Sequence, residues 1–85
     1  MGRLAKIYEH IMTRRSDNGL AFSDLRLLLL RLGFTERIRG DHHIYTMPGV
    51  EEIINLQPKG AFAKAYQVKQ ARELFLKYKF RPDEE

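Results

Sequence analysis

The chain has 85 residues, of which 44% are hydrophobic, 31% are charged and none is cysteine, and its formal net charge at pH 7 is +4. This length predicts one small globular domain, residues 1–85, and the missing cysteines exclude disulfides, thiolate metal sites and cysteine nucleophiles. The longest apolar run, residues 27–30, is too short to cross a bilayer, and the charged N-terminus does not resemble a signal peptide. We therefore expect a cytoplasmic protein without a membrane partner, whose positive charge favours polyanions or acidic protein surfaces.

The first third of the chain predicts two helices. Apolar residues at helical spacing indicate an amphipathic helix over residues 3–15, which the turn cluster SDNG at 16–19 ends. A second helix is predicted from Ser23, whose hydroxyl would cap its first turn. This helix runs through the leucine-rich segment LRLLLLRL to Gly33, which suits a left-handed C-terminal cap.

The remainder predicts three strands and a closing helix. Short segments of strand character are separated by the turn dipeptides Gly40–Asp41 and Pro48–Gly49, as in an antiparallel meander. The element order α-α-β-β-β-α then predicts an α+β fold with helices on one face of a three-stranded antiparallel sheet. The predicted ranges are 34–39, 42–47 and 51–56 for the strands, 57–65 for a loop, 66–78 for the last helix and 82–85 for an acidic tail.

Two adjacent histidines, His42 and His43, begin the second predicted strand. Neighbouring strand side chains point to opposite faces of a sheet, so the two rings should not bind one metal ion together. No convincing third ligand lies nearby in the sequence, and we expect neither a metal site nor a cofactor.

The face on which His43 lies depends on the register of the hairpin. If Ile44 packs against the helices, His43 lies on the open face of the sheet, together with Arg37 and Arg39. This arrangement requires a three-residue loop or a bulge at the hairpin, with Ile38 pointing inward. A strict two-residue loop would instead pair Ile38 with His43. A buried set of Tyr45 and Met47 would likewise reverse the assignment.

An imidazole beside arginines has the chemistry needed to cleave RNA. A histidine with an ordinary pKa near ~6.5 exchanges protons at neutral pH, and a guanidinium binds phosphate and offsets its charge. RNA carries its own nucleophile, the 2′-hydroxyl, so such a site would need no metal ion, whereas DNA lacks this group. The alternative is that a histidine near a hairpin is only a strand residue.

Several other residues are candidates for contacts with RNA. Lys59 and Lys64 lie in the predicted loop and suit an RNA backbone, although loop lysines also serve solubility alone. Tyr45 can stack on a base or pack within the sheet. Lys69 and Arg72 lie near the start of the last helix, where double-stranded-RNA modules use basic residues.

The order of these segments resembles the HicA family of toxins from bacterial and archaeal toxin–antitoxin pairs. The similarity covers about residues 20–80. It is carried by the leucine-rich helix and Gly–Phe at 25–34, by the basic strand, glycine turn and histidines of TERIRGDHHIY at 35–45, and by IINLQ at 53–57 and AYQVKQAR at 65–72.

The resemblance implies a double-stranded-RNA-binding-domain-like fold, a ribonuclease that cuts messenger RNA, and inhibition by a HicB-like antitoxin. The catalytic histidine of the family corresponds to His43, within the motif turn Gly40, Asp41 and His42. The helix at 3–15 is an addition relative to the shortest members. Asp41 stands where the family usually has serine or threonine, which leaves two alternatives open: a non-catalytic RNA-binding module, or an inactive relative that only binds its antitoxin.

Overall fold

The computed structural model describes residues 2–13 and 17–83, and within them it contains three helices and one sheet of three antiparallel strands. This confirms the predicted α+β fold and its element order. No helix in these ranges is long and apolar enough to cross a membrane. The predicted ends at 14–15 and 84–85 lie outside the described residues. The elements are α1 (Arg3–Met12), α2 (Phe22–Leu32), β1 (Thr35–Arg39), β2 (His42–Thr46), β3 (Ile54–Leu56) and α3 (Ala65–Tyr78).

Helix α2 ends as predicted but begins differently. Gly33 adopts a left-handed conformation with φ of 108°, and the amide N–H groups of Gly33 and Phe34 close the last turn on carbonyls of α2. The predicted serine cap is wrong, because α2 begins at Phe22 and no side chain caps it. The backbone N–H of Phe22 instead donates to the carbonyl of Ala61 at 2.9 Å, so the start of α2 is tied to the loop before α3.

The sheet has the order β1-β2-β3, and a two-residue turn joins its first two strands. Gly40 in this turn has φ of 60°, a conformation that favours glycine. The turn fixes the register, in which Ile38 pairs with His43 and Arg39 with His42. Strand β3 covers 54–56 only, half of the predicted 51–56.

The helices cover one face of the sheet. Helix α1 packs against α2 and α3, and α3 packs against β3. Burial of apolar surface against this shared core is the main force that stabilises a domain of this size. The core takes its largest fully buried side chains from every element except β1, namely Ile11, Leu25, Leu28, Leu29, Tyr45, Ile54, Leu56, Val68 and Phe75.

Candidate functional site

The two histidines lie on opposite faces of the sheet, as strand geometry predicts, but the predicted faces are reversed. His43 shares the helix-facing side with its partner Ile38 and with the fully buried Tyr45, whereas His42 pairs with Arg39 on the open side. The prediction that His43 lies on the open face is therefore wrong. Its physical cause is the burial of Tyr45, which lies two positions further along β2 and therefore on the same face as His43.

A mostly buried carboxylate, Glu36, organises the surroundings of His43. Glu36 lies in β1 opposite Tyr45, and its side chain is only 10% exposed. Arg26 of α2 binds it with both ends of the guanidinium, Nε to Oε2 at 2.7 Å and Nη2 to Oε1 at 2.9 Å. The Tyr45 hydroxyl donates to Oε2 at 2.5 Å, and His43 Nδ1 lies 3.1 Å from the same oxygen.

These contacts hold Glu36 in its ionised form. The hydrogen bonds from Arg26 first, and then those from Tyr45 and His43, lower the pKa of Glu36 to about 2 against the opposing effect of burial. The same carboxylate raises the pKa of the Arg26 guanidinium. Burial, followed by the hydrogen bond to Glu36, raises the pKa of Tyr45 well above its ordinary value, so the phenol stays neutral.

The ionised carboxylate fixes the tautomer of His43. Glu36 can only accept hydrogen bonds, so Nδ1 of His43 carries the proton and Nε2 keeps its lone pair in the neutral ring. Nε2 has no hydrogen-bond partner among residues 2–13 and 17–83. The edge of the Phe22 ring contacts the imidazole at a centroid distance of 4.9 Å, and the His43 side chain remains 17% exposed. The imidazole is thus oriented from two sides and partly accessible.

Asp41 and His42 form a separate, solvent-exposed pair at the tip of the hairpin. Asp41 Oδ2 accepts a hydrogen bond from Gln57 Nε2 at 2.7 Å, which is the main cause of the lowered pKa of Asp41. Its Oδ1 lies 3.8 Å from His42 Nε2, and His42 Nδ1 lies 3.1 Å from Asn55 Oδ1. The carboxylate that orients His43 is therefore Glu36, and the side chain of Asp41 faces water.

The two arginines predicted beside the catalytic imidazole lie on the other side of the sheet. Arg37 pairs with Ile44 and Arg39 with His42, so both belong to the open face, and both are exposed. The predicted grouping of Arg37 and Arg39 with His43 is wrong, because the two-residue Gly40–Asp41 turn pairs His43 with Ile38. Their guanidinium groups remain available for phosphate on the open face only.

The four other predicted RNA contacts fall into two groups. Lys59 and Lys69 are exposed, and Lys64 is half-buried at the start of α3, close enough to Asp41 to lower its pKa. Arg72 is buried: its guanidinium binds both carboxylate oxygens of Asp17, at 2.7 and 3.1 Å, and donates to a backbone carbonyl of α1 at 3.1 Å. The predicted phosphate contact does not fit this buried position of Arg72.

The sequence-based reasoning missed Glu36, Arg26 and Phe22. One signal was present, because Arg26 interrupts a leucine-rich helix beside the core residue Leu25, and a charge at such a place indicates an ionic partner. Glu36 lies in the strand TERIR, and nothing in this charged sequence indicates that one of its charged side chains faces the helices. The contact of Phe22 with His43 joins residues 21 positions apart, and no local pattern indicates it.

Comparisons with protein-family models, with curated proteins and with solved structures find no match for this chain. Among the described residues, no three histidine or acidic side chains are grouped so that they could hold a metal ion. The candidate site consists of an imidazole, a carboxylate, a guanidinium and a phenol held together by hydrogen bonds.

Proposed function

We propose that this protein is an endoribonuclease that cleaves messenger RNA without a metal ion, and that His43 is its catalytic residue. The observation that carries the proposal is the Glu36–His43 hydrogen bond, which leaves Nε2 of a partly accessible imidazole as a base. The resemblance to HicA toxins also favours it, because that resemblance aligns His43 with the family's catalytic histidine.

The proposed reaction uses the nucleophile that RNA itself contains. Nε2 of His43 removes the proton of a 2′-hydroxyl, and the 2′ oxygen forms a bond to the adjacent phosphorus while the bond from phosphorus to the 5′ oxygen breaks. The departing 5′ oxygen takes up a proton from the imidazolium or from water. The products are a 2′,3′-cyclic phosphate and a 5′-hydroxyl, so no other reactant is needed.

Glu36 acts in this scheme through His43. Its negative charge stabilises the imidazolium that forms when Nε2 takes the proton, and its hydrogen bond keeps the ring in the productive orientation. Arg26 and Tyr45 hold Glu36 in place and ionised. Glu36 is thus a positioning residue, and it touches no reacting atom.

The biological setting of the proposal follows the same resemblance. A toxin of this kind acts in the cytoplasm, has a double-stranded-RNA-binding-domain-like fold and is inhibited by a HicB-like antitoxin. Inhibition would require the antitoxin to cover the accessible edge of His43 or to displace RNA from the surface beside it.

The decisive experiment compares the two adjacent histidines. Wild-type protein, His43→Ala and His42→Ala are incubated with single-stranded RNA in excess chelator, and the products are resolved by gel electrophoresis. We expect His43→Ala to lose about 10²–10⁴-fold in cleavage rate, the usual contribution of a general base, and His42→Ala to stay within about threefold of wild type. Unchanged cleavage by His43→Ala, with both variants folded by circular dichroism, would sink the assignment.

One observation favours a non-catalytic alternative. Asp41 places an exposed, ionised carboxylate at the tip of the hairpin next to the histidines, where it repels a phosphate. A protein that binds RNA but produces no fragments in the same assay would fit an RNA-binding module. An Asp41→Ser variant that gains cleavage would identify the carboxylate as the cause.

A further inference from the structure

Two exposed aromatic rings border a groove that the proposed cleavage chemistry does not use. We call it the aromatic groove, and define it by Pro58, Lys59, Phe62, Lys64 and Tyr66. It is open to solvent and has a volume of about 900 Å³. This space is sufficient for flat groups the size of nucleobases.

The aromatic rings of this groove are exposed to an unusual degree for their size. Phe62 is 51% exposed and Tyr66 is 62% exposed, although aromatic side chains of folded domains are mostly buried. Other rings of the described chain pair with one another, such as Tyr8 with Phe75 at a centroid distance of 5.9 Å. Phe62 and Tyr66 have no ring partner among residues 2–13 and 17–83, and about half or more of each side chain is exposed.

A tight turn sets a lysine next to one of these rings. Lys59 and Phe62 exchange two backbone hydrogen bonds, at 2.8 and 3.1 Å, around Gly60, whose φ is 61°. Residues that pair directly in this way project their side chains on the same face. The ammonium group of Lys59 therefore accompanies the Phe62 ring on the groove side of the turn.

The charge of the aromatic groove matches a polyanion. Lys59 and Lys64 both line it, and no acidic side chain does so among the described residues. A protein partner would match the groove only if it combined an apolar surface with flanking acidic side chains. Single-stranded RNA matches both the rings and the ammonium groups, because its bases stack on aromatic faces and its phosphates contact lysine.

The aromatic groove is joined to His43 by direct contacts. Ala21 forms a β-bridge with Phe62, and the next residue, Phe22, donates its backbone N–H to the carbonyl of Ala61. The ring of Phe22 then contacts the imidazole of His43. A strand of RNA lying in the groove would thus be adjacent to the helix end that packs on the proposed catalytic ring.

We propose that the aromatic groove is the substrate-binding site, in which bases of single-stranded RNA stack on Phe62 and Tyr66 while Lys59 and Lys64 contact phosphates. This inference rests on the proposed function for the nature of its ligand. It assigns RNA binding to the loop before α3 and to the first turn of α3, and it leaves the open face of the sheet outside the binding site.

The test measures affinity separately from cleavage. A single-stranded oligonucleotide with 2′-O-methyl riboses cannot be cut, and its binding is followed by fluorescence anisotropy at fixed salt. We expect Phe62→Ala and Tyr66→Ala each to weaken binding about tenfold, and the double variant about a hundredfold. Tyr66→Phe keeps the ring and should bind within about twofold of wild type, whereas Tyr66→Leu should not.

Matched controls come from other faces of the chain. Leu76 is 51% exposed on the same helix as Tyr66, so Leu76→Ala removes a similar apolar surface and should leave the affinity unchanged. Replacing Lys59 or Lys64 with Gln should each lower the slope of log Kd against log salt by about 0.7, the value per phosphate contact on a single strand. Lys6→Gln, on the exposed side of α1, should not change this slope.

The outcomes separate the two proposals. Unchanged affinity in the Phe62 and Tyr66 variants overturns the groove assignment even if cleavage depends on His43. Loss of affinity in these variants supports it, including the case in which wild-type protein never cleaves RNA and the proposed nuclease function fails. If the variants lose only a protein partner and keep RNA, the groove is a protein-docking surface and the inference is wrong.

Discussion

On the helix-facing side of the β1–β2 hairpin, His43, Glu36 and Tyr45 share one network that is mostly shielded from water. On the open side of the same two strands, His42 and Arg39 lie in solvent. The adjacent residues His42 and His43 are therefore of the same type but lie in different surroundings. The partly buried imidazole of His43 is oriented by an ionised carboxylate, whereas the exposed imidazole of His42 lies beside Asn55 and Asp41. The two rings thus differ in the charge of their hydrogen-bond partners, an ionised carboxylate for His43 and a neutral amide oxygen for His42.

Replacing Glu36 should change cleavage and stability more than any substitution on the open face does. Glu36→Gln keeps the side-chain shape but can donate a hydrogen bond to Nδ1 of His43, which moves the ring proton to Nε2 and removes the base. We expect cleavage to fall about 10²-fold or more. Stability should fall by about 1–3 kcal/mol, because Arg26 and His43 lose their charged acceptor.

Tyr45→Phe is the matched control for this substitution. It removes one hydrogen bond to the same carboxylate and should cost about 1 kcal/mol, but His43 keeps its acceptor and cleavage should change little. Denaturant unfolding and the RNA assay measure the two effects. Equal losses of cleavage in both variants would mean that Glu36 supports the fold and has no separate effect on the imidazole.

Acid should lower the stability of the protein mainly through the network on the helix-facing side, and little through the open face. The pKa of Glu36 is lowered from 4.5 to about 2, so the unfolded state binds its proton first as the pH falls. The stability that Glu36 supplies is complete above pH 4.5 and is lost between pH 4.5 and 2, by up to about 3 kcal/mol. Urea unfolding at several pH values should show a smaller loss in Glu36→Gln than in wild type.

Glu52 provides a comparison for the acid effect. Its pKa is also lowered to about 2, chiefly by a hydrogen bond from Lys77, but this pair lies at the surface. Glu52→Gln should therefore remove a smaller part of the acid sensitivity, because solvent screens exposed pairs. If Glu36→Gln and Glu52→Gln remove equal parts of the acid sensitivity, burial does not determine how much the Glu36 network contributes to stability.

The smallest effects are expected on the open face. Arg37→Gln and Arg39→Gln should change stability by less than about 0.5 kcal/mol, since both side chains are exposed. Their effect on RNA affinity should stay within about threefold at low salt and vanish at high salt, as expected of distant charges. A tenfold, salt-resistant loss would place RNA on the open face and contradict the separation of the two sides.

The sequence allowed the fold to be predicted better than the site. Helical periodicity, the glycine at position 33 and the two-residue turn dipeptides are local signals, and they predict the element order that the structure contains. The face of the sheet on which His43 lies depends instead on whether Tyr45 can be buried. That depends on Glu36 and Arg26, which come from different elements and meet only in three dimensions. Apolar patterning cannot reveal a buried position that a polar network supports.

The pairing of Arg72 with Asp17 has a consequence for the N-terminal part of the chain. Arg72 also donates to the carbonyl of Ile11, so one buried cation of α3 contacts both the last turn of α1 and Asp17. Removing residues 1–17 would strip this cation of its partners and uncover the core that Leu4, Ile7 and Ile11 share. Apolar surface returned to water costs about 25 cal/mol per Å², and over several core side chains this is a large part of the stability of a small domain. The first helix is thus an integral part of the folding unit, and a shortened chain beginning at α2 should not fold.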